Sequence, residues 1–199
     1  MRLSLTSLVL AVALMFPLVG RSDELASQWT IDPNHDSINF KVRHIFVPIP
    51  GRFDHFTGTI RFDPQNLAGS LFDISVDTAS VNTFVDQRNQ HLRTADFFDT
   101  AKYPAMTFKS SRIEHISGQS YEAHGQLTIK DVTKDIALPF TYLGQKENPM
   151  AKGQQVAGFV SDFSIKLLDY HVGDGHWQQM GVLGDNADIS LYFEVTRQP

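Results

Sequence analysis

From residue 38 onward the chain alternates apolar and polar positions with period two, segment after segment. Ile38, Phe40, Val42, His44 and Phe46 alternate with Asn39, Lys41, Arg43 and Ile45. Phe56, Gly58, Ile60 and Phe62 alternate with Thr57, Thr59 and Arg61, and Phe72, Ile74 and Val76 with Asp73, Ser75 and Asp77. The pattern resumes at Met106 and Phe108, and again from Tyr121 to Ile129. It continues through Ile136, Leu138, Phe140 and Tyr142, then from Ala157 to Leu167, and closes from Ala187 to Val195. Such alternation predicts strands with one buried face. Turn signals separate them: Pro48-Ile49-Pro50-Gly51, Asp63-Pro64 through Gly69, Ser117-Gly118, and Asp131 to Asp135. Residues 144 to 155 and the Gly-rich run 173–185 read as loops.

About eight strands result, with too little chain between them for crossover helices. The expected class is therefore all-β, one antiparallel sheet closed as a barrel or stacked as a sandwich. The inward faces are rich in phenylalanine: Phe40, Phe56, Phe62, Phe72, Phe108, Phe140, Phe159, Phe163 and Phe193. Rings at these positions either fill a core or line a cavity, and periodicity does not choose between the two.

One long stretch breaks the alternation. Val81 to Pro104 holds Asp86, Arg88, His91, Arg93, Asp96 and Asp99 around Phe84, Leu92, Phe97 and Phe98. It contains the one expected helix, at 88–98. Its arginines are placed to pair with its aspartates and hold the segment as a cap, with Phe97-Phe98 as a plug at one end of the barrel.

The N-terminus is a different material. Arg2 precedes an apolar, uncharged run from Leu3 to Val19, and Arg21-Ser22-Asp23-Glu24 follows. This is the pattern of a secretory signal peptide spanning 1–22, with Gly20 and Ala26 as other cleavage positions. Residues 23–199 are then the exported domain. Its charge is more acidic than the whole chain's −5, at 15 basic against 22 acidic residues. That argues against nucleic acid or an anionic membrane surface as the main partner. There are no cysteines. This excludes a thiol nucleophile, thiolate-bound zinc, iron–sulfur clusters and a lipid-modified N-terminal cysteine.

Catalytic signatures such as G-x-S-x-G, H-E-x-x-H and G-x-G-x-x-G are missing. Among the eight histidines, His171 and His176 flank Asp174 but match no standard metal spacing, and no metal site is expected. His44 falls on an apolar strand face, either as a satisfied core histidine or as a polar group inside a cavity.

Asp32-Pro33-Asn34-His35 with Ile38 to His44 resembles the first strand of the YceI-like family. The resemblance extends through Gly51-x-Phe53-x-x-Phe56-x-Gly58 and Arg88-x-x-His91-Leu92-Arg93-x-x-Asp96-Phe97-Phe98-Asp99. It continues in Tyr103-Pro104-x-Met106-Thr107-Phe108, Gly125-x-Leu127-Thr128-Ile129, Val132-Thr133-Lys134 and Leu183-Gly184-Asp185. Two positions depart from the pattern. Gln90 stands where many relatives carry an acid, and Lys166-Leu167-Leu168-Asp169-Tyr170 replaces an Arg-x-Asp-Phe-Gly run.

The resemblance implies an eight-stranded, lipocalin-like antiparallel barrel whose apolar cavity holds an isoprenoid-tailed lipid, a polyprenol or a quinone. It implies a periplasmic protein, in some members stress-induced, with homodimers in the family, transient membrane contact and no catalysis. The expected cavity lining is Phe40, Val42, His44, Phe56, Phe62, Phe72, Val76, Phe97, Phe98, Phe108, Phe140, Phe159 and Phe163, with Arg43, His91 and Arg93 as polar contacts. No cofactor is expected beyond such a bound lipid or quinone. Two rival classes are an enzyme acting on a lipid head group and an interaction protein with a filled core.

Overall fold

The computed structural model describes residues 24–198, so the expected signal peptide at 1–22 lies outside the described residues. Eleven strand segments pair into one sheet. They are β1 (Gln28–Trp29), β2 (Ser37–His44), β3 (Val47–Phe53), β4 (Phe56–Arg61), β5 (Leu71–Asp77), β6 (Val81–Asn82), β7 (Ala105–Ser117), β8 (Ser120–Ile129), β9 (Val132–Glu147), β10 (Gln155–Lys166) and β11 (Leu183–Arg197).

Six of these segments are halves of three broken staves. β1 pairs with β4 at Gln28↔Arg61, and β2 pairs with β3 from Ile38↔Phe53 to His44↔Val47. Likewise β4 pairs with β5 and β3 with β6, so β5 and β6 form one stave beside another made of β3 and β4. Five unbroken strands complete a barrel of eight, every neighbour antiparallel. The ring closes where β11 meets the first stave. It pairs with β2, and beyond the break Thr30 and Thr196 exchange both backbone bonds, at 2.7 and 2.9 Å.

The breaks are themselves bonded. The Asp54 N–H donates to the Ser80 carbonyl at 3.2 Å, and the Asp77 N–H to the His55 carbonyl at 2.9 Å. In the first stave the Asp36 carboxylate is buried and accepts the backbone N–H groups of Asp32 and Glu194. This carboxylate therefore ties the break between β1 and β2 to β11.

The expected turn at Pro48-Ile49-Pro50-Gly51 is instead part of β3. β3 is bonded to β2 along its length but meets β6 only at Arg52 and Phe53. Prolines are tolerated there because the second side of the strand needs no N–H donors. The actual turn is at Ile45-Phe46, with Ile45 at φ 53°. The loop expected at 144–155 is shorter, because β9 runs on to Glu147 and β10 starts at Gln155. The polar turn expected at Asp131 to Asp135 tightens to Lys130-Asp131. The Gly-rich run holds a short second helix, α2 (His176–Gln179).

One end of the barrel is solid. Phe62 has ring neighbours at centroid distances of 5.0 to 6.3 Å in Phe72, Tyr121, Phe140, Tyr142 and Phe159. Trp29 lies under them, 2% exposed, its indole N–H donating to the Phe62 carbonyl at 3.1 Å. Arg197 covers the Trp29 ring at 4.6 Å. The bulkiest side chains thus occupy the end where the two termini of the barrel meet.

Removing the central ring with Phe62→Ala should cost about 3–5 kcal/mol in urea unfolding, the usual range for a buried Phe truncation. A second expectation concerns pH. Burial pushes the Asp36 carboxyl up to about 6 from 3.8, against the two N–H bonds that favour its charged form. A raised folded-state value means that the charged form costs stability in the fold. That cost is absent below about pH 4, grows as pH rises toward 6, and is full above it. The urea midpoint should therefore rise between pH 7.5 and pH 5, and Asp36→Asn should flatten that rise relative to wild type.

Candidate functional site

The other end of the barrel is hollow. A cavity of about 410 Å³ runs into it, within the size range of small-molecule sites. Its wall is made by the inward positions of the strands: Phe40, Val42, Val76, Phe108 and Phe163 from the expected set, joined by Phe193, Ile38, Ile74, Leu127, Ile165 and Leu191. Two residues with opposite needs shape one side. The Phe40 ring lies so close over Gly51 that a Cβ there would fall 2.3 Å from it. Glycine at this position lets the ring lie back against the wall.

The expected lining separates into two groups. Phe40, Val42, His44, Val76, Phe97, Phe98, Phe108 and Phe163 line the cavity. Phe62, Phe72, Phe140 and Phe159 do not; they belong to the solid aromatic end, where each ring's faces are taken by other rings. Phe56 also stands off the cavity, packed edge-on against Phe193 at 5.6 Å. The alternation is the same at both ends, and only the depth along the barrel distinguishes filling from lining.

The cap over the hollow end is α1 (Asp86–Arg93), shorter than the stretch 88–98 and starting earlier. Asp86 in its first turn suits the positive end of the helix dipole. The helix stops at Thr94, whose extended backbone (ψ 173°) turns the chain back. Phe97, Phe98 and Asp99 then bond to the carbonyls of Thr94, Leu92 and Thr94. This fold-back aims Phe97 and Phe98 at the cavity, with Phe98 edge-on to Phe53 at 5.6 Å.

The expected charge pairing of the cap is replaced by bonds to backbone. Arg88 donates to the Thr83 hydroxyl at 2.8 Å and its carbonyl at 2.6 Å. Arg93 donates to the carbonyls of Ala79 and Val81 at 2.7 and 3.2 Å. Among the described residues neither arginine forms an ion pair with Asp86, Asp96 or Asp99. Buried Asn89 completes the anchor, its side-chain oxygen accepting both the N–H and the hydroxyl of Thr83 at 2.7 Å.

Polar groups gather at the mouth. His44 and His91 are exposed on one side and line the cavity on the other, and Arg88 lies beside them. His91 stands edge-on to Phe97 at 5.1 Å, with its Nε2 3.1 Å from Asp96 Oδ2. The other two expected polar contacts are elsewhere. Arg93 is spent on the backbone of the third stave, and Arg43 donates to the Ile45 carbonyl outside the barrel. Trp177 of α2, with Val182 and Leu183 after it, completes the rim. These three were hidden in a stretch without alternation, where nothing marks a side chain as inward.

His171 and His176 are not brought together: His171 Nδ1 lies 3.1 Å from Asp131 Oδ1, while the N–H of His176 bonds to Asp174. The group with metal-ligand spacing among the described residues is Glu114, Glu122 and His124, on the outer wall. Arg112 already holds Glu114 there at 2.8 Å, which lowers the glutamate's readiness to protonate.

Comparison with known proteins agrees with this architecture. A family model described as "YceI-like domain" matches residues 29–195. The chain is 35% identical to a UPF0312 protein of Vibrio parahaemolyticus over 203 residues, all of both chains. It is 35% identical to Protein YceI of Escherichia coli O6:H1 over 201 residues, again all of both. Among solved structures, BcnA of Burkholderia cenocepacia is 26% identical with a TM-score of 0.73, covering 84% of this chain and 99% of that one. A polyisoprenoid binding domain of Saccharophagus degradans shares the fold at 18% identity and a TM-score of 0.63, covering 88% of this chain and 100% of that one. With a family model spanning the whole barrel and full-length relatives at this identity, the chain belongs to the YceI-like family.

Proposed function

We propose that this protein is a periplasmic carrier that binds the tail of an isoprenoid lipid, a polyprenol or a quinone, in the hollow end of its barrel. The carrying observation is the cavity of about 410 Å³ with an almost wholly apolar wall, its charged and imidazole groups, His44, Arg88 and His91, standing at the mouth. That polarity gradient matches an amphiphile with a long tail and a small head. The polyisoprenoid binding described for the Saccharophagus degradans domain of the same fold points the same way. The periplasmic reading rests on the basic and then apolar N-terminal pattern, and a stress-related role on the family resemblance alone. The filled-core reading is disfavoured by the hollow end. The head-group enzyme has less to support it: the Thr83 hydroxyl beside Arg88 is taken up in the anchor of α1, bonded to Arg88 and Asn89.

The energetics bear on how such a carrier works. Each five-carbon unit gains roughly 4 kcal/mol on leaving water, at about 0.8 kcal/mol per carbon. A tail taken from a bilayer is already dry, so exchange between bilayer and barrel is close to neutral. Selection then falls to cavity shape and to the head group at His44, Arg88 and His91.

Native mass spectrometry of the purified protein should find one bound lipid, or uptake of one added ubiquinone or prenol per chain; neither adduct nor uptake would overturn the carrier reading. Phe163→Asn should abolish uptake in a folded protein, whereas Phe140→Ala, in the solid end, should lower the urea midpoint and leave uptake intact. His91→Ala should weaken quinone binding about tenfold, the worth of one hydrogen bond to a head group. The binding of an unfunctionalised isoprenoid hydrocarbon should change little.

A further inference from the structure

The mouth of the cavity is ringed by apolar side chains that the fold leaves bare. Among the described residues thirteen large hydrophobic side chains are exposed, and eight of them lie on the elements bounding this mouth. Ile45, Phe46 and Val47 form the tip of the β2–β3 hairpin at 43%, 89% and 60% exposure. Trp177 and Met180 stand on and after α2, Leu168 in the short 3-10 turn Leu168–Tyr170 ahead of it, and Phe84 and Val85 at the start of α1. Hairpin and α2 segment are joined directly, the Ile45 N–H donating to the Val182 carbonyl at 2.8 Å. The hairpin bears on the cavity itself, since His44 just before the turn and Ile49 on the returning strand line it along with Trp177 and Val182.

Local physics does not account for these choices. Ile45 and Phe84 both sit at positive φ, 53° and 64°, where glycine or asparagine would relieve the backbone. Each is bulky, apolar and solvent-exposed; the Arg52 guanidinium lies over the Phe84 ring at 5.8 Å, whereas at Ile45 the position is unfavourable for both backbone and side chain. A sequence that breaks local rules in this way does so where a function demands it.

Charge selects the partner. The hairpin from Ser37 to Phe53 carries Lys41, Arg43 and Arg52 and no carboxylate, in a chain whose net charge is −5. Arg52 is paired with Asp54 at 2.6 Å. Lys41 and Arg43 are exposed, and among the described residues neither forms an ion pair, although Asp188 of β11 stands opposite Lys41 in the ladder. Asp86 and Asp174 lie on the flanks of the rim at the starts of α1 and α2, so the hairpin is the part suited to lead. In a tip-to-tip contact between two copies these cations would face each other, whereas the anionic face of a phospholipid bilayer complements them. Aromatic and aliphatic side chains with flanking cations are the composition of an interfacial membrane anchor.

We propose that the β2–β3 hairpin tip, with Trp177 and Met180 beside it, inserts shallowly into the surface of an anionic phospholipid bilayer and sets the cavity mouth against the lipid. The proposal rests on the cavity being a lipid site. It supplies what that reading lacks, a route by which a tail passes between bilayer and barrel without crossing water. The inserted residues are Ile45, Phe46 and Val47, and the headgroups meet Lys41 and Arg43.

Co-sedimentation with vesicles of phosphatidylethanolamine and phosphatidylglycerol tests this. The protein should bind at low salt, bind less at high salt, and bind vesicles of phosphatidylcholine alone weakly. Phe46→Ser should weaken binding about tenfold or more, the worth of one buried aromatic side chain, and Lys41→Glu should weaken it further. Only two tryptophans are present, and Trp29 is buried, so the blue shift of emission on binding should come from Trp177. No vesicle binding, or binding unchanged by Phe46→Ser, would overturn the proposal. So would a dimer in the ultracentrifuge that Phe46→Ser disperses while vesicles remain unbound, since the tip would then be a contact between copies. Uptake of ubiquinone from detergent solution is measured in parallel. Phe46→Ser, outside the cavity wall, should leave that uptake unchanged. Vesicle binding without any uptake would sink the carrier reading and leave the docking surface standing; uptake without vesicle binding would do the reverse.

Discussion

Residues 28–30 bond on both sides, to β4 through Gln28 and Trp29 and to β11 through Thr30. That short pairing completes the ring at the solid end, and β2 completes it at the hollow end. Without closure the sheet would present two raw edges, and its inward rings would face water. Closure also fixes the interior volume. Eight strands leave room for one layer of side chains or one small ligand along the axis. The molecule does both in sequence along that axis: rings of Phe and Tyr fill one half, and smaller aliphatics and laid-back rings leave the other half hollow.

Three staves break at a common level, and the breaks have a consequence for the site. They let the first three staves bend around the hollow end, and the third stave carries α1 just beyond β6. Arg88, Asn89 and Arg93 bind that helix to backbone atoms of residues 79–83. The mouth therefore has one side built on a fixed helix and another on a hairpin whose tip is tied to the α2 segment through Ile45 and Val182 while Phe46 stays exposed.

A hydrophobic carrier faces a problem that affinity for the tail does not solve, since bilayer and barrel are nearly equal as hosts. The arrangement at the mouth addresses it with geometry. Apolar side chains continue from the wall of the cavity over its lip to the outer surface, through Ile49 and Val182 to Ile45, Phe46 and Trp177. Polar head-group candidates sit at the same level, so head and tail meet chemically different surroundings at the lip.

Much of this was legible without a structure. Alternation located β2, β4, β5 and β7 to β11, and the motif around Arg88 to Asp99 marked the cap. Period two reports only which face a residue is on. It therefore identified Phe62 and Phe163 alike as inward and had no means to tell a filling ring from a lining one; that depends on height along the barrel, which register and closure set. Proline at 48 and 50 read as a turn because the sequence does not reveal that β3 lacks a second neighbour there. Trp177 and the tip at Ile45 to Val47 were missed for a related reason: their importance comes from standing next to each other at the mouth, although over 130 residues separate them. The sequence by itself determined an all-β, one-sided, antiparallel chain with a polar-aromatic cap. Only the tertiary structure decided where the interior is full, where it is empty and what surrounds the opening, because volume and adjacency are properties of the closed ring and not of any one strand.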